Sequence, residues 1–164
     1  ADVLRVDLRV GRVVSAARHP DAESLYVEMV DVGEAQPRQV VSGLAKHVPL
    51  DTLPGRMVVV VCNLKVAKMR GVESFGMLLA AGTDVVELLE PPPDARVGEQ
   101  VRVEGLGDPV PDAVLKSKAQ AKVWDRVVAE LSTDAARVAT HAGRRLVTSA
   151  GPCAVQSLAL APIK

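Results

Sequence analysis

Apolar and polar residues alternate from the start of the chain. Leu4, Val6, Leu8 and Val10 stand against Arg5, Asp7 and Arg9, the period of a half-buried strand. At Gly11 the alternation slips, because Val13 and Val14 follow where Arg12 would point inward; a bulge at the glycine accounts for the slip. Leu25, Val27 and Met29 alternate with Ser24, Tyr26 and Glu28 in a second strand. It is entered by the turn His19-Pro20-Asp21, in which Asp21 is expected to bond its own backbone. Residues 39–41 and 57–62 predict strands three and four, and 43–55, with two prolines, leaves room for only a short helix. Residues 77–81 predict a fifth strand after a polar loop at 63–74. Shorter runs at 85–89 and 100–104 follow, divided by Pro91-Pro92-Pro93.

Five or more short strands, a bulged first strand and a small helix before the fourth predict a mainly β protein. The expected form is a five-stranded Greek-key barrel of the OB type, with a sandwich as the structural alternative. Residues 105–111 read as a linker. Beyond it a helix is predicted over 112–131, where Leu115, Ala119, Val123, Val127 and Leu131 recur every four residues and Trp124 and Val128 widen the stripe. The last thirty residues predict strands and turns packed back onto the helix and barrel.

Composition sharpens this picture. Tyr26, Phe75 and Trp124 are the only aromatics, so the core is aliphatic and platforms for stacking single-stranded bases are excluded. Lys and Arg balance Asp and Glu at 20 each, but unevenly. Residues 1–107 carry 12 basic and 15 acidic side chains, 108–164 carry 8 and 5, and no acid occurs from Arg56 to Val72. Cys62 and Cys153 form no CxxC and read as reduced, buried thiols of a cytosolic protein. The longest apolar run, 57–62, is far below the ~20 residues of a membrane span. The chain opens at Ala1 without methionine, as a piece of something longer would.

No phosphate loop, dinucleotide fingerprint or nucleophile elbow occurs. His19, His47 and His141 have no zinc-site spacing, and the acids form no constellation. No catalytic residue, metal or cofactor is expected.

One stretch is specific: Cys62-Asn-Leu-Lys-Val-Ala-Lys-Met-Arg-Gly-Val-Glu-Ser-Phe-Gly-Met77. With His19-Pro-Asp-Ala-Glu-Ser-Leu-Tyr-Val-Glu28 and Val40-Val-Ser-Gly-Leu44, it closely resembles the tRNA-binding domain of the endothelial monocyte-activating polypeptide II type. Val66 departs from the usual proline and Glu23 from the common aspartate. The resemblance covers the whole chain. It implies that 1–107 is an OB-fold tRNA-binding unit. The α+β extension at 108–164 would pack on it and imitate a dimer partner, leaving a monomer. It implies a non-catalytic module that binds tRNA by shape, with little sequence preference, and assists an aminoacyl-tRNA synthetase in cis or in trans. Backbone recognition of folded RNA needs cations and donors, which Asn63, Lys65, Lys68, Arg70 and Ser74 supply. Arg9 and Arg12, and the helix stripe Lys118, Lys122 and Arg126, are further candidates. The competing expectation is a protein-interaction or cytokine-like signalling domain of a synthetase complex, since 7–14 resembles the segment tied to that activity.

Overall fold

The computed structural model describes residues 1–164. A 3-10 turn (Asp2–Arg5) precedes β1 (Leu8–Arg18), β2 (Tyr26–Asp31), β3 (Arg38–Ser42) and, after a second 3-10 turn (Leu50–Thr52), β4 (Met57–Val61). A small hairpin, β5 (Ala67–Met69) and β6 (Val72–Ser74), leads to β7 (Met77–Leu78), β8 (Ala80–Ala81), β9 (Glu87–Leu88) and β10 (Arg102–Val103). The helix α1 (Lys118–Ala129) is followed by β11 (Leu131–Thr133), β12 (Ala139–His141), β13 (Arg144–Thr148) and β14 (Gly151–Pro152).

The first sheet runs β3-β2-β1-β4-β7, all antiparallel, with β3 approaching β7 across the gap. This is the nearly closed five-stranded barrel of the OB fold. Its interior holds Val13, Tyr26, Val30, Val40, Leu53, Val58, Val60 and Leu78. The second sheet, β10-β13-β12-β11 with β14 on β13, packs with α1 against the outside of the barrel. There Leu8, Val10, Val59 and Val61 share one core with Leu115, Val123, Val127, Leu146 and Ile163. β4 is therefore apolar without alternation: Val58 and Val60 face the barrel, Val59 and Val61 the extension, and water reaches neither. The second sheet crosses residue 107, because Arg102 and Val103 pair with Val147 and Leu146.

Several expectations are corrected. Residues 2–5 form a 3-10 turn, not strand, because Val3 and Val6 are buried three apart, on the side of the turn that meets α1. The bulge falls at Val14, between the pairs Val13↔Val30 and Ser15↔Met29. Gly11 lies in regular register with Val58, and a Cβ there would come within 2.9 Å of both Val30 and Val60. Close packing in the barrel, not a bulge, requires the glycine.

In β2 the phase is reversed. Tyr26, Glu28 and Val30 point inward, while Val27 and Met29 are half-buried outside. Burying the tyrosine ring favours this phase, since its hydroxyl still donates to the Val48 carbonyl at 2.8 Å. The helix is shorter than its apolar stripe. Ser117 caps it, accepting from the Gln120 N–H while Gln120 reaches back, so helix begins at Lys118. Leu115 and Leu131 stay buried beyond its ends, and Ala119 is exposed. The polar loop at 63–74 contains the β5–β6 hairpin, and the strand expected at 77–81 is split into β7 and β8.

Candidate nucleic-acid interface

Ala67↔Ser74, Lys68↔Glu73 and Met69↔Val72 pair to make the hairpin, closed by Arg70-Gly71 with φ of 52° and 87°. Two successive positive φ values mark the mirror-image turn that suits strand twist, where asparagine or glycine normally comes first. An arginine there is held in a conformation of some local cost.

The surrounding chain fixes the hairpin. Gln39 Nε2 donates to the Glu73 carbonyl at 2.8 Å, and the Phe75 N–H donates to the Gln39 carbonyl at 2.8 Å. Ser74 is buried; its Oγ accepts the Val41 N–H and donates to the Gly76 carbonyl, both at 2.9 Å. Arg38 ties both ends of the loop, donating through Nη1 to the Cys62 carbonyl at 2.6 Å and the Phe75 carbonyl at 2.9 Å. Its remaining nitrogens grip Glu34, and that carboxylate raises the Arg38 pKa. At the tip, the Arg70 guanidinium donates to the Asp21 carbonyl at 3.3 Å. The turn at 19–21 differs from expectation. The His19 Nδ1, not the Asp21 carboxylate, accepts the Asp21 N–H at 2.9 Å, and the other ring nitrogen meets the Met69 carbonyl.

Lys65 and Lys68 are exposed and enter no ion pair, although Glu73 faces Lys68 across the hairpin. With Arg70 they form a set of cations without carboxylate partners on a braced support. Asn63 and Ser74, expected to offer donors to RNA, are buried and bonded within the protein. The Asn63 Oδ1 accepts the Asp7 N–H, and Nδ2 donates to the carbonyls of Arg5 and Asp112, each at 2.9 Å. As placed, Asn63 and Ser74 hold the loop and have no free donor to offer.

The second-rank candidates are scattered. Arg9 is neutralised, bidentate to Asp7 at 3.1 and 2.9 Å and 3.8 Å from Glu34. Arg12 is exposed and unpaired, but it lies about 20 Å along β1, at strand rise, from the end where the hairpin tip docks. Arg126 pairs with Asp2 at 2.6 Å, whereas Lys118 and Lys122 are exposed and unpaired. Lys116, not among the candidates, adjoins the site. The parallel bridge Leu64↔Leu115 makes Lys65 and Lys116 the next residues of two segments running side by side. The only advance signal for Lys116 was its neighbour Lys118; Arg38 offered none. Both thiols are buried, and burial pushes them up to about 12. No three His, Cys, Asp or Glu residues converge as a metal site, and no helix is long and apolar enough to cross a membrane.

Comparison with known proteins decides the family. A family model described as "Putative tRNA binding domain" matches residues 8–100. The chain belongs to that family. It is 47% identical, over 99% of its length, to the aminoacyl tRNA synthase complex-interacting multifunctional protein 1 of Cricetulus griseus. It is 48% identical, over 94% of its length, to the cytoplasmic tyrosine–tRNA ligase of Gallus gallus. The chain spans 45% and 30% of those two relatives. The C-terminal domain of Plasmodium vivax p43 matches it with a TM-score of 0.92 at 29% identity, covering 99% of this chain and 98% of that one. A MetRS-related protein from Pyrococcus horikoshii covers 62% of the chain and 94% of its own length, with a TM-score of 0.58 and 34% identity. The extension at 108–164 thus accompanies the barrel in the Plasmodium domain. The chain is a tRNA-binding domain whose relatives are synthetases and a synthetase complex-interacting protein.

Proposed function

We propose that this tRNA-binding domain holds folded tRNA through its phosphates and shape, with little sequence preference and no catalysis of its own, and so assists a cytoplasmic aminoacyl-tRNA synthetase. Lys65, Lys68 and Arg70 are the primary contacts. Lys116, Lys118 and Lys122 continue the unpaired cations from the hairpin root onto the extension. The observation that carries this reading is the braced hairpin, whose tip arginine sits at positive φ with no carboxylate partner. Strain retained at such a place points to a working residue. The scarcity of aromatics supports shape over base stacking. The division into a unit at 1–107 and an extension at 108–164 that substitutes for a dimer partner is part of this proposal. The shared core around Val59 and Val61 supports it.

Titration of tRNA at several salt concentrations tests the reading. Affinity falls linearly in log–log form, by about 0.7–0.9 log units per phosphate contact per decade of salt. The Lys65/Lys68/Arg70 triple alanine variant loses affinity for all tRNAs about equally and about three contacts of slope. Unchanged affinity and slope in a folded triple variant would overturn it.

One observation favours a protein-interaction role alongside. Exposed Val66, Phe75 and Val114 line a groove of about 490 Å³ beside the hairpin root. Apolar patches of this kind serve protein partners. Synthetase binding in the absence of RNA, lost in Phe75→Ser, tests that role.

A further inference from the structure

Between the hairpin and the end of the barrel lies a cleft of about 470 Å³, on the face of the hairpin opposite to Lys68. Ala67 and Met69 form its hairpin wall, and Met77 and Leu78 of β7 contribute to the barrel side. Successive strand side chains face opposite ways, so Ala67 and Met69 line the cleft while Lys68 faces away. Ser42, buried, lines it as well, and exposed Lys65 belongs to its edge. The Ser42 hydroxyl donates to Glu28 Oε2 at 2.5 Å, and Glu28 Oε1, wholly buried, has no partner.

We propose that this cleft receives one unstacked nucleobase of the RNA whose phosphates lie on the hairpin. The inference rests on the tRNA-binding reading and adds a subsite to it. The volume is that of a small-ligand pocket and accommodates a base with part of its ribose. Thioethers are soft and polarizable, so Met69 and Met77 can pack on a flat π face without an aromatic platform. With its proton committed to Glu28, Ser42 Oγ keeps lone pairs to accept from a base N–H. Every base has a π face and each of the four common bases presents an N–H donor on its pairing edge, so the cleft is tolerant of sequence. Lys65 places a cation where the phosphate flanking an inserted base must lie. That charge favours a nucleotide over an apolar peptide.

The test uses the intact chain with its methionine methyl groups labelled for NMR. Met29 and Met57, outside the cleft, serve as internal controls. Adenosine and cytidine 5′-monophosphate are expected to shift Met69 and Met77 saturably, and ribose 5-phosphate to leave them unmoved. Ala67→Trp fills the cleft from its exposed wall while keeping every cation. It should abolish those shifts and weaken tRNA about tenfold, the scale of one base contact, at unchanged salt slope. Equal shifts with ribose 5-phosphate, or full tRNA affinity in Ala67→Trp, overturn the inference. So does an apolar peptide that shifts both methyls where nucleotides do not. A triple Lys65/Lys68/Arg70 variant that binds tRNA undiminished instead overturns the hairpin reading, independently of the nucleotide titration.

Discussion

The imidazole of His19 meets the main-chain carbonyl of Met69 at 3.0 Å, across 50 positions of sequence. Because Nδ1 accepts the Asp21 N–H, Nε2 is the nitrogen that carries the proton and donates to Met69. Met69 immediately precedes Arg70, so a buried histidine in the β1–β2 turn aims the cationic tip of the hairpin. His19→Ala keeps every cation but removes this brace. We expect tRNA affinity to fall roughly fivefold, about 1 kcal/mol for one hydrogen bond, with faster amide exchange over 67–74. His19→Gln, able to donate to the Met69 carbonyl, should recover part of the loss. Unaltered exchange in His19→Ala would show that the hairpin stands without it.

Asn63 joins three segments, and its replacement should tell on stability before it tells on RNA. Asn63→Ala strands the Asp7 N–H and the Asp112 carbonyl, while the Arg5 carbonyl keeps the Asp112 N–H at 3.2 Å. At about 1 kcal/mol for each of the two groups left unpaired, the cost is about 2 kcal/mol. Urea denaturation reads it directly. A change under about 1 kcal/mol would mean that water replaces the amide.

Glu28 makes stability depend on pH. Burial pushes its carboxyl up to about 7, against the Ser42 hydrogen bond that pulls it down. Between the ordinary carboxylate range and pH 7, the folded protein keeps a proton that the unfolded chain has released. Stability therefore falls as pH rises through that window and levels off above it. Each pH unit inside the window costs about 1.4 kcal/mol, so from pH 5 to pH 8 this one group removes about 2–3 kcal/mol. Denaturation curves of Glu28→Gln should lack that fall; the same fall in both proteins would place its origin elsewhere.

Ending the chain at Gly107 uncovers the outer face of β4 and leaves β10 without its partner β13. The truncated barrel should dimerise or aggregate, while the intact chain should scatter light as one chain. A monodisperse dimer of the intact chain would refute the idea that the extension takes the partner's place.

Much of this architecture was legible from residues alone. The unbroken valines of β4 and the motif from Cys62 to Met77 depend on local pattern and chemistry. Each carries its meaning within a few positions. The inward phase of β2 does not. Leu25, Val27 and Met29 compete with Tyr26 and Val30 on near-equal terms, and a period of two specifies alternation without specifying the face. The choice fell to Val48 and Ser42, which supply partners for the tyrosine hydroxyl and the Glu28 carboxyl. The site divides in the same way. Lys65, Lys68 and Arg70 stand out in sequence as cations of a stretch, 56–72, that holds no acid. That Asn63 and Ser74 turn inward, that Arg38 closes the loop and that His19 aims its tip were decided in three dimensions. A polar side chain's role depends on which backbone groups the folded chain brings within about 3 Å of it, and those come from distant segments.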